Sequence, residues 1–96
     1  MNVVKYRKTE NVVTRKVAGE ALLVPIKGQL ADLHKVFTLN PVAEWIWERL
    51  DGLRTAAELC DGVVALFEVA RPTAETDLAE LLAKLETAGL IERAAE

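Results

Sequence analysis

The sequence predicts an α+β fold in which a small antiparallel sheet precedes a bundle of helices. Two runs rich in β-branched and apolar residues, 11–18 and 20–26, flank Gly19, a pattern typical of a hairpin. A third short run, 35–39, ends at Asn40. Beyond Asn40, apolar residues recur every three or four positions between helix caps. We therefore expect a three-stranded meander followed by a three-helix bundle.

The composition favours one globular domain, spanning residues 1–96, that needs no disulfide or metal to fold. The chain is 51% hydrophobic and 28% charged, which is enough apolar surface to form a core. Charges are mixed throughout its first residues, and nowhere do eighteen apolar residues run together, so we predict neither a signal peptide nor a membrane span. A cytoplasmic protein is expected. Residues 1–10 are either a flexible, solvated tail or an extension of the basic strands.

Charge is distributed unevenly between the two halves of the chain. Residues 1–40 contain seven Lys/Arg and three Asp/Glu, whereas residues 41–96 contain five Lys/Arg and twelve Asp/Glu. The strand half therefore carries +4 and the helix half −7, within a net charge of −3. This asymmetry is expected to steer an acidic partner toward the strands and to repel phosphate from the helices.

The first helix is predicted over about residues 41–50. Asn40 can cap its free N–H groups, and Pro41 suits the first helical position because its missing N–H would have no partner there. Gly52, after Asp51, can supply a left-handed stop.

Two tryptophans lie on this first helix. Trp45, Ile46, Val42 and Leu50 share one helical face, so most of the helix is expected to be core. Trp47 is rotated by about 100° from Ile46 and is expected to cover the sheet or to face a partner. The helix therefore acts mainly as a hinge between strand and bundle.

The second helix is predicted over about residues 56–68. Thr55 and Glu58 have the spacing of a capping box, in which each side chain satisfies a free backbone N–H. Gly62 inside the helix costs about 1 kcal/mol relative to alanine, which suggests a close packing neighbour. The lone cysteine, Cys60, cannot form an internal disulfide and is expected to be a buried small hydrophobe.

The third helix is predicted to begin at Pro72 and Thr73 and to end at Gly89. Leucines at the spacing of one buried face line it: Leu78, Leu81, Leu82 and Leu85. With Gly89 just past the cap, Leu90 falls where a Schellman motif places a contact with Leu85.

Three strands and three helices in this order resemble a winged helix-turn-helix. The segments "LNPVAEWIWERLDGLRTAAEL" and "TDLAELLAKLETAGLI" also resemble PqqD-like proteins, the peptide-binding RiPP recognition elements named after pyrroloquinoline quinone biosynthesis protein D. The resemblance covers roughly residues 12–91. The chain departs from members devoted to pyrroloquinoline quinone, because it has "VPIKGQLADLHK" in place of a Tyr-Pro-Glu-Gly-like segment and Leu50 in place of a cysteine. Its peptide substrate is therefore unassigned.

The resemblance implies a function without catalysis. Such domains bind the leader of a precursor peptide as an extra strand and present it to a modifying enzyme, often a radical S-adenosylmethionine protein, without a cofactor of their own. In this chain the implied docking edge runs from Lys35 to Leu39, and the third helix closes the cleft. The implied peptide-binding residues are Lys35, Val36, Phe37, Thr38, Leu39, Asp77, Leu81 and Lys84.

Side chains alternate between the two faces of a strand, so Val36 and Thr38 lie on one face of this edge. Lys35, Phe37 and Leu39 lie on the opposite face. One set can pack inward while the other lines or flanks the cleft.

Catalytic and metal sites are not expected. His34 is the only histidine and Cys60 the only cysteine, so neither a zinc site nor a His-centred triad can be assembled from a local motif. Phosphate-binding and nucleophile-elbow motifs are absent from the sequence.

Two alternatives remain open at this level. A winged helix can bind nucleic acid or regulate transcription, although the acidic second and third helices disfavour phosphate. A structural subunit whose edge strand pairs with itself would form a homodimer.

Overall fold

The computed structural model describes residues 4–27, 30–31 and 36–94. Their helices and strands follow one another as β1 (Lys5–Lys8), β2 (Val12–Val17), β3 (Glu20–Lys27), β4 (Leu30–Ala31), β5 (Phe37–Leu39), α1 (Pro41–Glu48), β6 (Asp51–Thr55), α2 (Ala56–Phe67), α3 (Arg71–Thr87) and β7 (Ile91–Arg93). The predicted α+β class, with antiparallel sheets and three helices, is confirmed.

The first sheet contains the predicted meander. β3 lies between β2 and β5, and the short β4 pairs with the far end of β3. Ala18 and Gly19 join β2 to β3 with positive φ angles of 53° and 84°, as a two-residue hairpin turn requires. Ala21 and Leu23 of β3 are buried, and they place the inner face of the sheet against the helices.

A second sheet, of order β6-β1-β7, was not predicted. β1 lies in its middle, so Lys5–Lys8 form a central strand and not a tail. The Tyr6 side chain of β1 is 8% exposed and belongs to the main core. The prediction for residues 1–3 lies outside the described residues.

Gly52 is part of this second sheet and does not end the first helix. α1 ends at Glu48, and Gly52 lies inside β6 with a φ of 81°. A Cβ on Gly52 would lie 3.4 Å from the Cβ of Ala94 and 3.6 Å from that of Arg7. Glycine is therefore required here by the backbone conformation of an edge strand.

The predicted caps of α1 and α2 are confirmed. The Asn40 side chain accepts a hydrogen bond of 2.8 Å from the N–H of Ala43. Thr55 and Glu58 form a reciprocal capping box, with bonds of 2.9 and 3.1 Å.

α3 ends in the predicted Schellman motif. Gly89 has a φ of 77°, and its N–H donates to the carbonyl of Glu86. The N–H of Leu90 donates to the carbonyl of Leu85, and both hydrogen bonds are 3.0 Å long. Leu85 and Leu90 are both buried, as their predicted contact requires. This turn returns the chain to the second sheet as β7.

The core lies between the first sheet, the second sheet and the three helices. Its largest fully buried side chains are Leu23, Ile46, Leu50, Leu59, Leu78, Leu85, Leu90 and Cys60. Burial raises the pKa of the Cys60 thiol, in keeping with the structural role predicted for it.

The two tryptophans of α1 have different environments. Trp47 is 3% exposed, and its Nε1–H donates to the hydroxyl of Thr14 over 3.1 Å, so it covers the sheet. Trp45 is half-buried, lies under the Arg49 guanidinium at 4.2 Å and meets the Phe67 ring edge-on at 6.3 Å. α1 therefore joins the sheet to the bundle through both rings.

Candidate functional site

The backbone of β5 offers one side to β3 and leaves its other side open. In β3, the N–H of Ile26 donates to the carbonyl of Asn11 beside β2, 2.7 Å away. Because successive strand residues point their N–H groups to opposite neighbours, even-numbered residues of β3 face β2 and odd-numbered ones face β5. Leu23 and Phe37 therefore pair through their backbones, whereas the N–H and C=O of Thr38 point away from β3. Among the described residues, no strand pairs with that open side.

A cleft separates the region of β5 and the start of α1 from α3, and it contains two hollows. The first, of about 290 Å³, is lined by residues that include Asn40, Ala43, Asp77, Glu80, Leu81 and Lys84. We call it the acidic hollow. The second, of about 500 Å³, is lined by Phe37, Ala83, Lys84, Thr87 and Ala88, and we call it the apolar hollow. Lys84 borders both hollows.

Four of the eight predicted site residues line this cleft. Phe37 is half-buried and lines the apolar hollow, and Thr38 is exposed on the open strand. Asp77, Leu81 and Lys84 all line the acidic hollow.

The remaining strand residues are placed differently. Leu39 is 5% exposed, belongs to the core and lines neither hollow. Val36 is half-buried next to the strand. Lys35 lies outside the described residues.

The sequence reasoning missed several lining residues. Ala43 of α1 and Ala83, Thr87 and Ala88 at the C-terminal end of α3 leave space that larger side chains would fill. The signal was present in part, because positions 84, 87 and 88 follow Asp77 and Leu81 on the helix face beside the leucine stripe. Small residues on an exposed face carry no pattern that distinguishes them from ordinary surface alanines.

The charged groups of the cleft are free to meet a ligand. Asp77, Glu80 and Lys84 are exposed, and none of them enters an ion pair with another residue of the described ranges. By contrast, Lys16 of β2 bonds the Glu44 carboxylate at 2.9 Å, and this bond raises the pKa of Lys16. The basic charge of the strands is therefore partly neutralised at β2.

Within residues 4–27, 30–31 and 36–94, no group of three His, Cys, Asp or Glu side chains is arranged to hold a metal ion. Over the same ranges, none of the helices has the length and apolar character needed to cross a bilayer.

Solved structures with the same fold include two that contain leader peptides. One is TbiB1 in complex with the TbiA(beta) leader peptide, with 28% identity and a TM-score of 0.72 over 94% of this chain and 99% of that one. The other is lasso peptide synthetase B1 complexed with the leader peptide, with 22% identity and a TM-score of 0.74 over 92% of this chain and 98% of that one.

Sequence comparison adds the family. A search of curated proteins finds no match. The family described as coenzyme PQQ synthesis protein D (PqqD) matches residues 20–91, which span β3 to the first residue of β7 and include every part of the cleft described above. The chain therefore belongs to the PqqD family, in agreement with the resemblance seen in its sequence.

Proposed function

We propose that this protein binds the leader segment of a ribosomally made precursor peptide as an added strand beside β5. The observation that carries the proposal is the open backbone of Thr38, which lies in the chain between Phe37 and Asn40. Each of these two flanking residues lines a hollow that α3 also lines. Family membership and the likeness to two proteins solved with leader peptides support it.

Strand addition suits the chemistry of this edge. The N–H and C=O of an edge residue can pair with an extended peptide, which gives affinity that does not depend on the peptide's sequence. Alternate side chains of that peptide then point toward α3, and the hollows there supply selectivity. β5 is only three residues long, so backbone pairing alone is short and the contacts with α3 must contribute much of the specificity.

The proposed role is to present the peptide to a modifying enzyme, with no catalysis by this chain. Its partners are thus the leader peptide and a peptide-modifying enzyme, either a radical S-adenosylmethionine protein or an enzyme of another class. The proposal needs no cofactor, because backbone pairing and side-chain contacts are sufficient for peptide binding.

Nucleic-acid binding is the weaker alternative. The exposed acidic side chains of α2 and α3, among them Glu58, Asp77 and Glu80, oppose the approach of phosphate to either helix. A mobility shift on duplex DNA that disappears as salt rises would favour this alternative.

The experiment is a titration of the full chain with synthetic peptides tiled across short reading frames that neighbour its gene. We expect one tile to bind, and Thr38→Pro to weaken that binding at least tenfold by removing an outward N–H and fixing φ. Lys16→Pro is the matched control, because its N–H points outward from the opposite edge of the same sheet. The proposal fails if no tile binds, if Thr38→Pro binds a tile as tightly as the parent does, or if Lys16→Pro weakens binding as much as Thr38→Pro does.

A further inference from the structure

The two hollows follow one another along the cleft: the apolar hollow lies against Phe37 of β5, and the acidic hollow lies just past the end of β5, against Asn40 and α1. β5 and α3 run in opposite directions across the cleft, since Phe37 lies beside Thr87 and Ala88 whereas Asn40 lies beside Asp77 and Glu80. A peptide that adds beside β5 and extends past the end of that strand therefore passes over both hollows in turn.

The spacing of the hollows matches the period of a strand. The α3 residues of the apolar hollow are displaced from those of the acidic hollow by about five positions, which is about 7.5 Å along a helix axis. Side chains on the same face of a strand are two residues, or about 6.7 Å, apart. Residues i and i+2 of an added strand can thus enter the two hollows together.

The acidic hollow is suited to a cation. Asp77 and Glu80 lie one helical turn apart, both exposed and both without an ion-pair partner in the described part of the chain. Two neighbouring carboxylates repel each other, and a lysine or arginine between them relieves that repulsion. Lys84 lines both hollows, so the charged residues of the acidic hollow sum to −1, whereas the apolar hollow has Lys84 as its only charged lining residue and disfavours a second cation.

The apolar hollow is suited to a large hydrophobic side chain. The small side chains of Ala83 and Ala88 leave space in this hollow, and the half-buried Phe37 ring provides an apolar wall. An aromatic or leucine side chain entering this hollow would cover Phe37 and be removed from water itself.

We propose that the cleft selects leader peptides that carry a large apolar residue and a lysine or arginine two positions apart. This inference rests on the proposed function, because it assumes that a peptide adds to β5. The order of the two residues in the peptide, apolar before cationic or the reverse, reports the direction in which the peptide runs along β5.

The experiment is a selection of random twelve-residue peptides displayed on messenger RNA, with the purified full chain as bait. We expect enriched peptides to share the apolar and cationic pair at a spacing of two. For the best peptide, replacing its cation with alanine should lower affinity about fivefold, the upper range for an exposed ion pair.

Charge reversal in the protein tests whether the cation of the peptide enters the acidic hollow. A selection with the Asp77→Lys, Glu80→Lys variant should lose the cationic preference and keep the apolar one. The charge-matched control changes two exposed carboxylates outside both hollows, Glu10→Lys and Glu48→Lys, and should keep both preferences. Ala83→Leu, which fills the apolar hollow, should remove the preference for a large apolar residue and spare the cationic one.

Each result separates this inference from the proposed function. Peptides that depend on Thr38 but show no cation at that spacing, or keep it in the Asp77, Glu80 variant, overturn the inference and leave leader binding in place. If no peptide is enriched and no tiled leader binds, both the function and the inference are wrong.

Discussion

Gly62 of α2 lies directly against the indole of Trp45 on α1. A Cβ built on Gly62 would be 2.2 Å from Cη2 of Trp45 and 2.9 Å from its Cζ2, well inside van der Waals contact. Trp45 is in turn held by Arg49 and Phe67. The glycine therefore permits the two helices to approach as closely as they do, and this is the packing neighbour that its sequence position suggested.

Gly62→Ala is expected to destabilise the protein by about 1–3 kcal/mol, because the added methyl group overpacks the contact with Trp45. Helix propensity alone predicts the opposite sign, with a gain of about 1 kcal/mol. Urea unfolding measures the change. Ala65→Gly, at an exposed position of the same helix, calibrates propensity without the contact. A Gly62→Ala protein more stable than the parent would contradict the packing argument.

Proline substitutions on β5 should separate folding from recognition. Phe37→Pro removes an N–H that pairs with Leu23 of β3, so a lower melting temperature is expected. Thr38→Pro removes an N–H that points outward, so the melting temperature should stay near that of the parent. Circular dichroism melts of both variants check this. Equal losses of stability would mean that the backbone direction assigned to β5 is wrong.

Leu82 and Leu81 should respond differently to replacement by aspartate. Leu82 is 5% exposed and Leu81 is half-buried at the cleft. Leu82→Asp is expected to unfold the chain or to cost about 3 kcal/mol or more, because the carboxylate must be desolvated or neutralised. Leu81→Asp should fold with a smaller loss and bind the leader peptide poorly. Chemical denaturation and peptide titration distinguish the two, and a native-like Leu82→Asp protein would refute the assigned helix face.

The capping box of α2 should make stability sensitive to acid. The pKa of Glu58 is lowered from its ordinary value of 4.5, first by the hydrogen bond from the Thr55 backbone N–H and then by that from the Thr55 side chain. A lowered folded-state pKa stabilises the fold above pH 4.5, and this contribution is lost as pH falls through the lowered value.

Glu58→Gln keeps an acceptor but removes the titration. Its melting temperature should therefore fall below that of the parent at pH 7 and approach it at pH 3. Thermal melts across this range test the prediction. A difference between the two proteins that is the same at both pH values would show that the ionised form contributes nothing.

Local signals account for most of what the sequence predicted correctly. The caps at Asn40, Thr55 and Gly89 depend on residues within a few positions of one another, so their chemistry can be read from short segments. The hairpin at Gly19 is equally local. At the cleft, Asp77 and Lys84 were found because they match family positions or lie beside the leucine stripe.

The second sheet depends on information that no short segment contains. Leu53 and Arg54 of β6 are exposed, and β1 holds three charged residues among four, so neither strand shows alternation of apolar and polar residues. In the sequence, Gly52 follows a helix, and this position is equally compatible with a helix stop and with a strand. Only the pairing partners decide between these interpretations.

The position of β1 between β6 and β7 has a consequence for how the protein folds. Lys5 pairs with Thr55 and Tyr6 with Arg93, so this sheet closes chain loops of about 50 and 87 residues. Such closures are entropically costly and slow compared with a two-residue hairpin or a helix. The β2–β3 hairpin and the helices can therefore form first, and the strand nearest the start of the chain is expected to be among the last to reach its native place.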